Sequence, residues 1–197
     1  MNNIFVKRFF VGIVLIAVGA IAGFLLADKG LISPTGFADG YNQQARVSAA
    51  QAAKIDPAIL YPVTEVVDGD TFKVKIGGKE ITVRLLGINT PEVVDPRKPV
   101  ECFGPEASAE AKTLLSDGKV RLELNPNREK TDYYSRLLAY AFLPDGTFLN
   151  KVLVQEGYAR EYTVGTPYSY QSDFKAAEAA AKAASKGLWG KCGVEAK

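Results

Sequence analysis

The feature that most constrains the fold is a pair of period-two stretches joined by two glycines. In Thr71–Ile76, Phe72, Val74 and Ile76 alternate with Thr71, Lys73 and Lys75, and from Glu80 to Ile88 the residues Ile81, Val83 and Leu85 share one face. Side chains alternate sides along a strand, so each stretch buries one face and wets the other. Gly77-Gly78 reads as the hairpin turn between them. Val63–Val67 is β-rich and Asp68-Gly69-Asp70 reads as a turn, so three strands follow one another in meander order.

Further along, Val120, Leu122 and Leu124 alternate as a fourth strand, and Leu137–Leu143 forms a fifth, ended by Pro144-Asp145-Gly146. Phe103-Gly104-Pro105-Glu106 opens a helix, with proline and an acid in its first turn, and Asp117-Gly118 stops it. Phe148, Val152 and Gln155 begin a second helix ended by Gly157. Phe174, Ala177, Ala181, Ala184 and Leu188 share one face of a third, interrupted at Gly187. The expected architecture is α+β: a five-stranded OB-fold-type β-barrel with about three packed helices over residues 60–192, then a tail over 193–197.

The N-terminus is of another kind. Lys7 and Arg8 precede 19 residues without a charge, Phe9–Ala27, closed by Asp28 and Lys29. About 20 apolar residues span a bilayer as a helix, and the positive flank keeps the N-terminus cytoplasmic. Residues 1–29 therefore read as a membrane anchor, with a signal peptide cleaved near Ala20-Ile21-Ala22 as the alternative. Both place the domain outside the cytoplasm, either tethered or secreted. Residues 30–59 read as a linker, with Asn42–Lys54 as a short surface helix. In an exported chain Cys102 and Cys192 are expected to pair, the alternative being two buried thiols. A bridge closing so long a loop is worth roughly 4–5 kcal/mol on the chain-entropy account.

The chain contains no histidine. That excludes Ser-His-Asp and Cys-His catalysis and disfavours zinc. Acid–base work falls to carboxylates, Lys or Tyr, and a metal would be a hard, oxygen-bound cation. From Leu60 onward 19 basic residues face 19 acidic ones, so a nucleic-acid footprint must be a local patch.

Three stretches carry the polar residues: Asp68-Gly69-Asp70-Thr71, Arg84 through Glu92, and Asp132-Tyr133-Tyr134-Ser135-Arg136. Strand alternation puts Arg84, Leu86 and Ile88 on the face opposite Leu85 and Gly87. An arginine within so apolar a strand needs an anionic partner or ligand. Two arginines, oxygen ligands and a carboxylate suffice for phosphodiester hydrolysis without histidine.

These stretches, with Phe103–Ser108 and Tyr134–Tyr140, resemble the staphylococcal nuclease (thermonuclease) family in order and spacing across Tyr61–Trp189. The resemblance implies a calcium-dependent endonuclease acting on DNA and RNA and leaving 3′-phosphate ends. It implies Asp70 as a Ca2+ carboxylate ligand, Thr90 as a ligand through its backbone carbonyl, and Arg84 and Arg136 on the scissile phosphate. Glu92 acts on the water, as base or as positioner, and Asp132 and Tyr134 support the substrate, Tyr134 at the phosphate end of the nucleotide.

Departures from the family are also visible. Asn89 stands where a second aspartate ligand is usual, so weaker calcium binding is expected. Ser135 replaces a common glycine, and Tyr162, Tyr168 or Tyr170 is left to stack on a base. The alternative is a catalytically weak OB-fold nucleic-acid-binding module, although a passive binder gains nothing from a carboxylate beside a phosphate. A calcium-assisted surface adhesin has no specific feature in its favour. No protein partner is implied, and the domain is expected to be monomeric.

Overall fold

The structure, a computed structural model, describes residues 50–95 and 99–192. The stretch 9–27 read as a membrane anchor and the tail 193–197 lie outside the described residues. Among the described residues no helix is long and apolar enough to cross a membrane.

Five strands form a closed barrel: β1 (Leu60–Val66), β2 (Thr71–Ile76), β3 (Lys79–Leu85), β5 (Lys119–Glu123) and β6 (Leu137–Phe142), in the order β1-β2-β3-β6-β5. β2 and β3 pair from Thr71↔Arg84 to Ile76↔Lys79, leaving Gly77-Gly78 as the two-residue turn, with φ of 56° and 79°. Closure depends on β1. A register shift between Val63 and Glu65 bends it, so its second half pairs with β2 and its first half with β5. Parallel pairing of β3 with β6 completes the ring.

Phe72, Val74, Ile76, Ile81, Val83, Leu85, Val120 and Leu122 are buried, as their alternation requires. β6 is buried on both faces, because helices cover its outer side. Tyr140 has no exposed surface and packs edge-on against Phe148, Tyr170 and Phe174. The helices are α1 (Gly104–Leu114), α2 (Leu149–Gln155), α3 (Gln171–Ala183) and the short α4 (Leu188–Lys191).

Three expectations are corrected. The helical face expected through Ala184 to Leu188 belongs to two helices, since α3 ends at Ala183, Ala184 is exposed, and Leu188 opens α4 fully buried. The segment before Leu60 is not all surface linker, because Gln51 and Ala52 are buried and Ala52 joins the core. The strand expected over Glu80–Ile88 stops at Leu85. Leu86-Gly87 turns the chain, and Ile88–Asn89 forms a separate short strand, β4, paired with β7 (Arg160–Glu161).

Strand alternation therefore does not relate Arg84 to Leu86 and Ile88. The reason is Gly87, whose φ of 83° and closeness to the Tyr168 ring, 2.6 Å from an added Cβ, exclude any side chain. Hydrogen bonds from Asn150, Tyr162 and Tyr168 are among those that hold the turn. The Asn150 amide donates to the Leu86 carbonyl at 2.9 Å, and the Tyr162 N–H and the Tyr168 hydroxyl donate to the Gly87 carbonyl at 2.9 and 3.0 Å.

Candidate active site

The turn at Leu86-Gly87 brings Asn89 and Thr90 back over the Asp68-Gly69-Asp70 loop at the mouth of β2. Gly69 permits the approach: an added Cβ would lie 2.7 Å from Thr90 Cγ2. The Thr90 N–H then donates to Asp70 Oδ2 at 2.8 Å, and the Thr71 hydroxyl donates to Asp70 Oδ1 at 3.0 Å. Asp70, 5% exposed, also pairs with Arg84, whose Nη2 lies 2.9 Å from Oδ2.

Arg84 has the anionic partner its position demands, and more. Nη1 donates to the carbonyls of Leu85 and Ile88 at 2.9 and 2.8 Å, and Nη2 to Asn89 Oδ1 at 2.8 Å. One guanidinium thus stitches both sides of the Leu86-Gly87 turn to Asp70. The pairings with Glu80 or Glu65 that an isolated strand would permit are absent; those carboxylates pair with Lys73.

Arg136 stands one residue before β6 and is held by Asp132, whose Oδ2 lies 2.7 Å from both Nε and Nη2. Asp132 Oδ1 accepts the N–H groups of Tyr134 and Arg136 at 2.9 Å each. Asp132 therefore shapes the loop and aims Arg136 together. Within this loop Ser135 has φ of 62°, the left-handed region where glycine is unstrained and an L side chain is not.

Glu92 lies beyond β4, outside any strand. Its Oε1 accepts the N–H groups of Val93, Val94 and Asp95 at 3.0, 2.8 and 3.1 Å, a local cap that fixes the carboxylate on its own loop.

A cavity of about 120 Å³ is lined by Asp68, Asp70, Arg84, Asn89, Thr90, Pro91, Glu92 and Arg136. Four charged residues remote in sequence, Asp70, Arg84, Glu92 and Arg136, thus meet in one place. Asp68, read from sequence only as part of a turn, joins them. Burial, and next the charge of Asp70, pushes its carboxyl up to about 6. The signal available in the sequence was the doubled aspartate of Asp-Gly-Asp at a strand mouth.

A larger cavity of about 590 Å³ adjoins it and shares Arg84, Asn89 and Arg136. Tyr133, Tyr134 and Tyr162 line it and are 90%, 64% and 51% exposed. Of the three tyrosines offered for stacking, only Tyr162 is free to do so. Tyr168 is buried, with its hydroxyl on Gly87 and Glu161 and its ionisation pushed upward by burial, and Tyr170 is engaged by Glu123 and the Tyr140 ring. Tyr133, not singled out from sequence, is the most exposed ring at the site.

Among the described residues no three acidic, cysteine or histidine side chains form a ready-made metal cage. The groups that could hold a metal are mixed: carboxylates of Asp68 and Asp70, the Asn89 amide oxygen and the Thr90 carbonyl. All are hard oxygens, which suits calcium and not a soft metal. Cys102 and Cys192 are bridged, with Cα atoms 5.8 Å apart.

Comparison with known proteins gives the same direction. The model of the staphylococcal nuclease homologue family matches residues 82–191. The thermonuclease of Staphylococcus hyicus is 40% identical over 129 residues, covering 66% of this chain and 75% of that protein. Endonuclease YncB of Bacillus subtilis is 35% identical over 155 residues, covering 78% and 72%. The SPbeta prophage-derived endonuclease YokF of the same organism is 41% identical over 128 residues, covering 64% and 43%. The closed five-stranded barrel, the helices packed on it and these matches agree, and the chain belongs to the staphylococcal nuclease family.

Proposed function

We propose that this chain is a calcium-dependent endonuclease that hydrolyses phosphodiester bonds of DNA and RNA and leaves 3′-phosphate ends. The observation that carries the reading is the single small cavity lined by Asp70, Arg84, Asn89, Thr90, Glu92 and Arg136. The relatives named thermonuclease and endonuclease support the reaction class.

Asp70, Asn89 and the Thr90 carbonyl are the groups that would hold Ca2+. The donor set fits: Asp68 and Asp70 set two carboxylates side by side, and burial, then the charge of Asp70, pushes the Asp68 carboxyl up to about 6, a strain that a divalent ion would relieve. When bound, the ion supplies positive charge beside the phosphate oxygens.

The remaining work belongs to the side chains. Arg136, held in a fixed plane by Asp132, offers its free edge to the phosphate. Arg84 Nη2 is the atom able to exchange partners, since Asp70 and Asn89 are the oxygens assigned to the cation. Glu92 takes the proton of the attacking water or steers that water, its carboxylate kept in orientation by three N–H groups. The water oxygen joins phosphorus, the P–O5′ bond breaks, and the 5′ oxygen leaves with a proton. The exposed rings of Tyr133, Tyr134 and Tyr162 beside the phosphate site offer stacking surfaces to bases, and this favours unpaired strands.

The domain acts outside the cytoplasm, tethered through residues 9–27 or secreted after cleavage. The Cys102–Cys192 bridge supports this, since disulfides persist in oxidising compartments. The test is incubation of the purified protein with labelled single-stranded DNA and with RNA, in calcium and then in excess chelator, with end analysis of the products. Calcium-dependent fragments ending in 3′-phosphate are expected. Retarded but uncut DNA in a gel shift, with calcium present, would replace this reading with the binding module.

A further inference from the structure

We propose that Glu101 is a positioning residue for Glu92 and that the Cys102–Cys192 bridge holds Glu101 in place. The inference rests on the reading of Glu92 as the group acting on water. Glu92 lies past β4 with no strand partner, so its position has to come from elsewhere. Glu101 supplies it at two points. Its N–H donates to the Glu92 carbonyl at 2.9 Å, and its Oε2 accepts the Glu92 N–H at 3.1 Å. Both backbone polar groups of Glu92 are thus bonded to one residue. Glu101 lines neither cavity, so it acts through Glu92 and not on substrate.

Glu101 is itself exposed, where water competes for such bonds. Its neighbour removes that weakness. Cys102 is covalently joined to Cys192, and the Cys192 N–H donates to the Leu188 carbonyl at 3.0 Å. Leu188 is fully buried, and its own N–H donates to the Gly157 carbonyl at 2.9 Å. The bridge therefore ties residue 102 to a point fixed in the core.

On the other side the Gly104 N–H donates to the Glu101 carbonyl at 3.0 Å as α1 begins. Gly104 presses against the Glu92 loop: an added Cβ would lie 2.5 Å from Val93 Cγ1 and 3.2 Å from the Pro91 and Glu92 carbonyl oxygens. Residues 101–104 form a seat for residues 91–93, and the disulfide fastens one edge of that seat. The departure of Glu92 by about 1 Å is enough to slow a reaction about a hundredfold, so a seat of this kind governs rate and not substrate affinity.

The experiment measures kcat and KM separately on single-stranded DNA at saturating calcium, with urea unfolding of each variant. Glu101→Ala is expected to lower kcat roughly 10- to 100-fold with KM within about twofold and the urea midpoint unchanged. Glu101→Gln, whose amide oxygen still accepts the Glu92 N–H, is expected to recover kcat. The Cys102→Ser/Cys192→Ser double variant, assayed under conditions where urea titration shows it folded, is expected to lose kcat as Glu101→Ala does.

Parent-like kcat in Glu101→Ala, a loss that Gln does not rescue, or a loss carried in KM would overturn the positioning role. A folded double-cysteine variant with parental kcat would overturn the role of the bridge, and if that variant does not fold, the Glu101 pair decides. Parent protein that cuts nothing would instead defeat the nuclease reading, so the two failures are distinguishable.

Discussion

Asn150 gives the sharpest energetic test of how this barrel delivers its site. The side chain has no exposed surface. Its Oδ1 accepts the Ala141 N–H on β6 at 2.9 Å, and its Nδ2 donates to the Leu86 carbonyl at 2.9 Å. One amide thus joins α2, β6 and the turn that carries Asn89 and Thr90 to Asp70. Asn150→Ala leaves both backbone groups buried without partners, at about 1–3 kcal/mol each, so the loss should be about 2–6 kcal/mol. That is a large share of the roughly 5–15 kcal/mol typical of a domain.

With a urea m-value of about 1–3 kcal/mol/M, the unfolding midpoint should fall by about 0.7 M or more while m stays unchanged. Asn150→Asp separates the two bonds. A carboxylate still accepts from Ala141 but can donate to Leu86 only when protonated. The fold favours the neutral form, which raises the folded-state pKa of the new carboxyl above its unfolded value. Its stabilising contribution is then complete below the unfolded pKa and is lost as pH rises through the folded one, so this variant should approach the parent in acid and fall behind at neutral pH. Both variants unfolding within 0.5 M of the parent at neutral pH would refute the reasoning.

Glu92→Gln should cut turnover by about 10²–10⁴-fold with an unchanged urea midpoint, and full activity would remove Glu92 from the chemistry. Arg84→Ala should lose rate and also about 3–5 kcal/mol of stability, because Asp70 is left charged and buried without its partner; a parental midpoint and rate would contradict both roles. Asn89→Asp adds a carboxylate 2.8 Å from Arg84 Nη2 and a charge among the donors, and it should tighten calcium binding measured by calorimetry; weaker binding would contradict the assignment. Ser135→Gly should raise stability by roughly 0.5–1 kcal/mol, the relief at φ of 62° less the entropy of a new glycine, and a lowered melting temperature would show that the serine side chain matters more than its backbone.

Much of the fold was readable along the chain. The alternating apolar positions of β2 and β3 and the residues Val120 and Leu122 of β5 proved buried, whereas Leu124 lies past the end of β5 and is half-buried, and the Gly77-Gly78 turn lies where two glycines stand. These are local properties: strand period, turn residues and helix starts act within a few residues. The site was readable as residue types near strand ends. Its internal wiring was not, because Arg84's four partners, the Asp132 clamp on Arg136 and the raised carboxyl of Asp68 depend on which groups the fold makes neighbours. The role of Asn150 is illegible in the sequence for the same reason. An asparagine in a short helix looks like a surface residue until two strands and a turn are found against it.

From sequence alone came the order of the five barrel strands and of the helices between and after them, the absence of histidine chemistry, the family resemblance and the expected Cys102–Cys192 pairing. Each follows from composition, periodicity or short motifs. Tertiary structure decided where the third strand stops, which of the tyrosines stay exposed, and that Glu101 meets Glu92. Those outcomes turn on steric and hydrogen-bond contacts between residues distant in the chain, such as Gly87 against Tyr168 and Asn150 against Leu86, and no local pattern encodes such contacts.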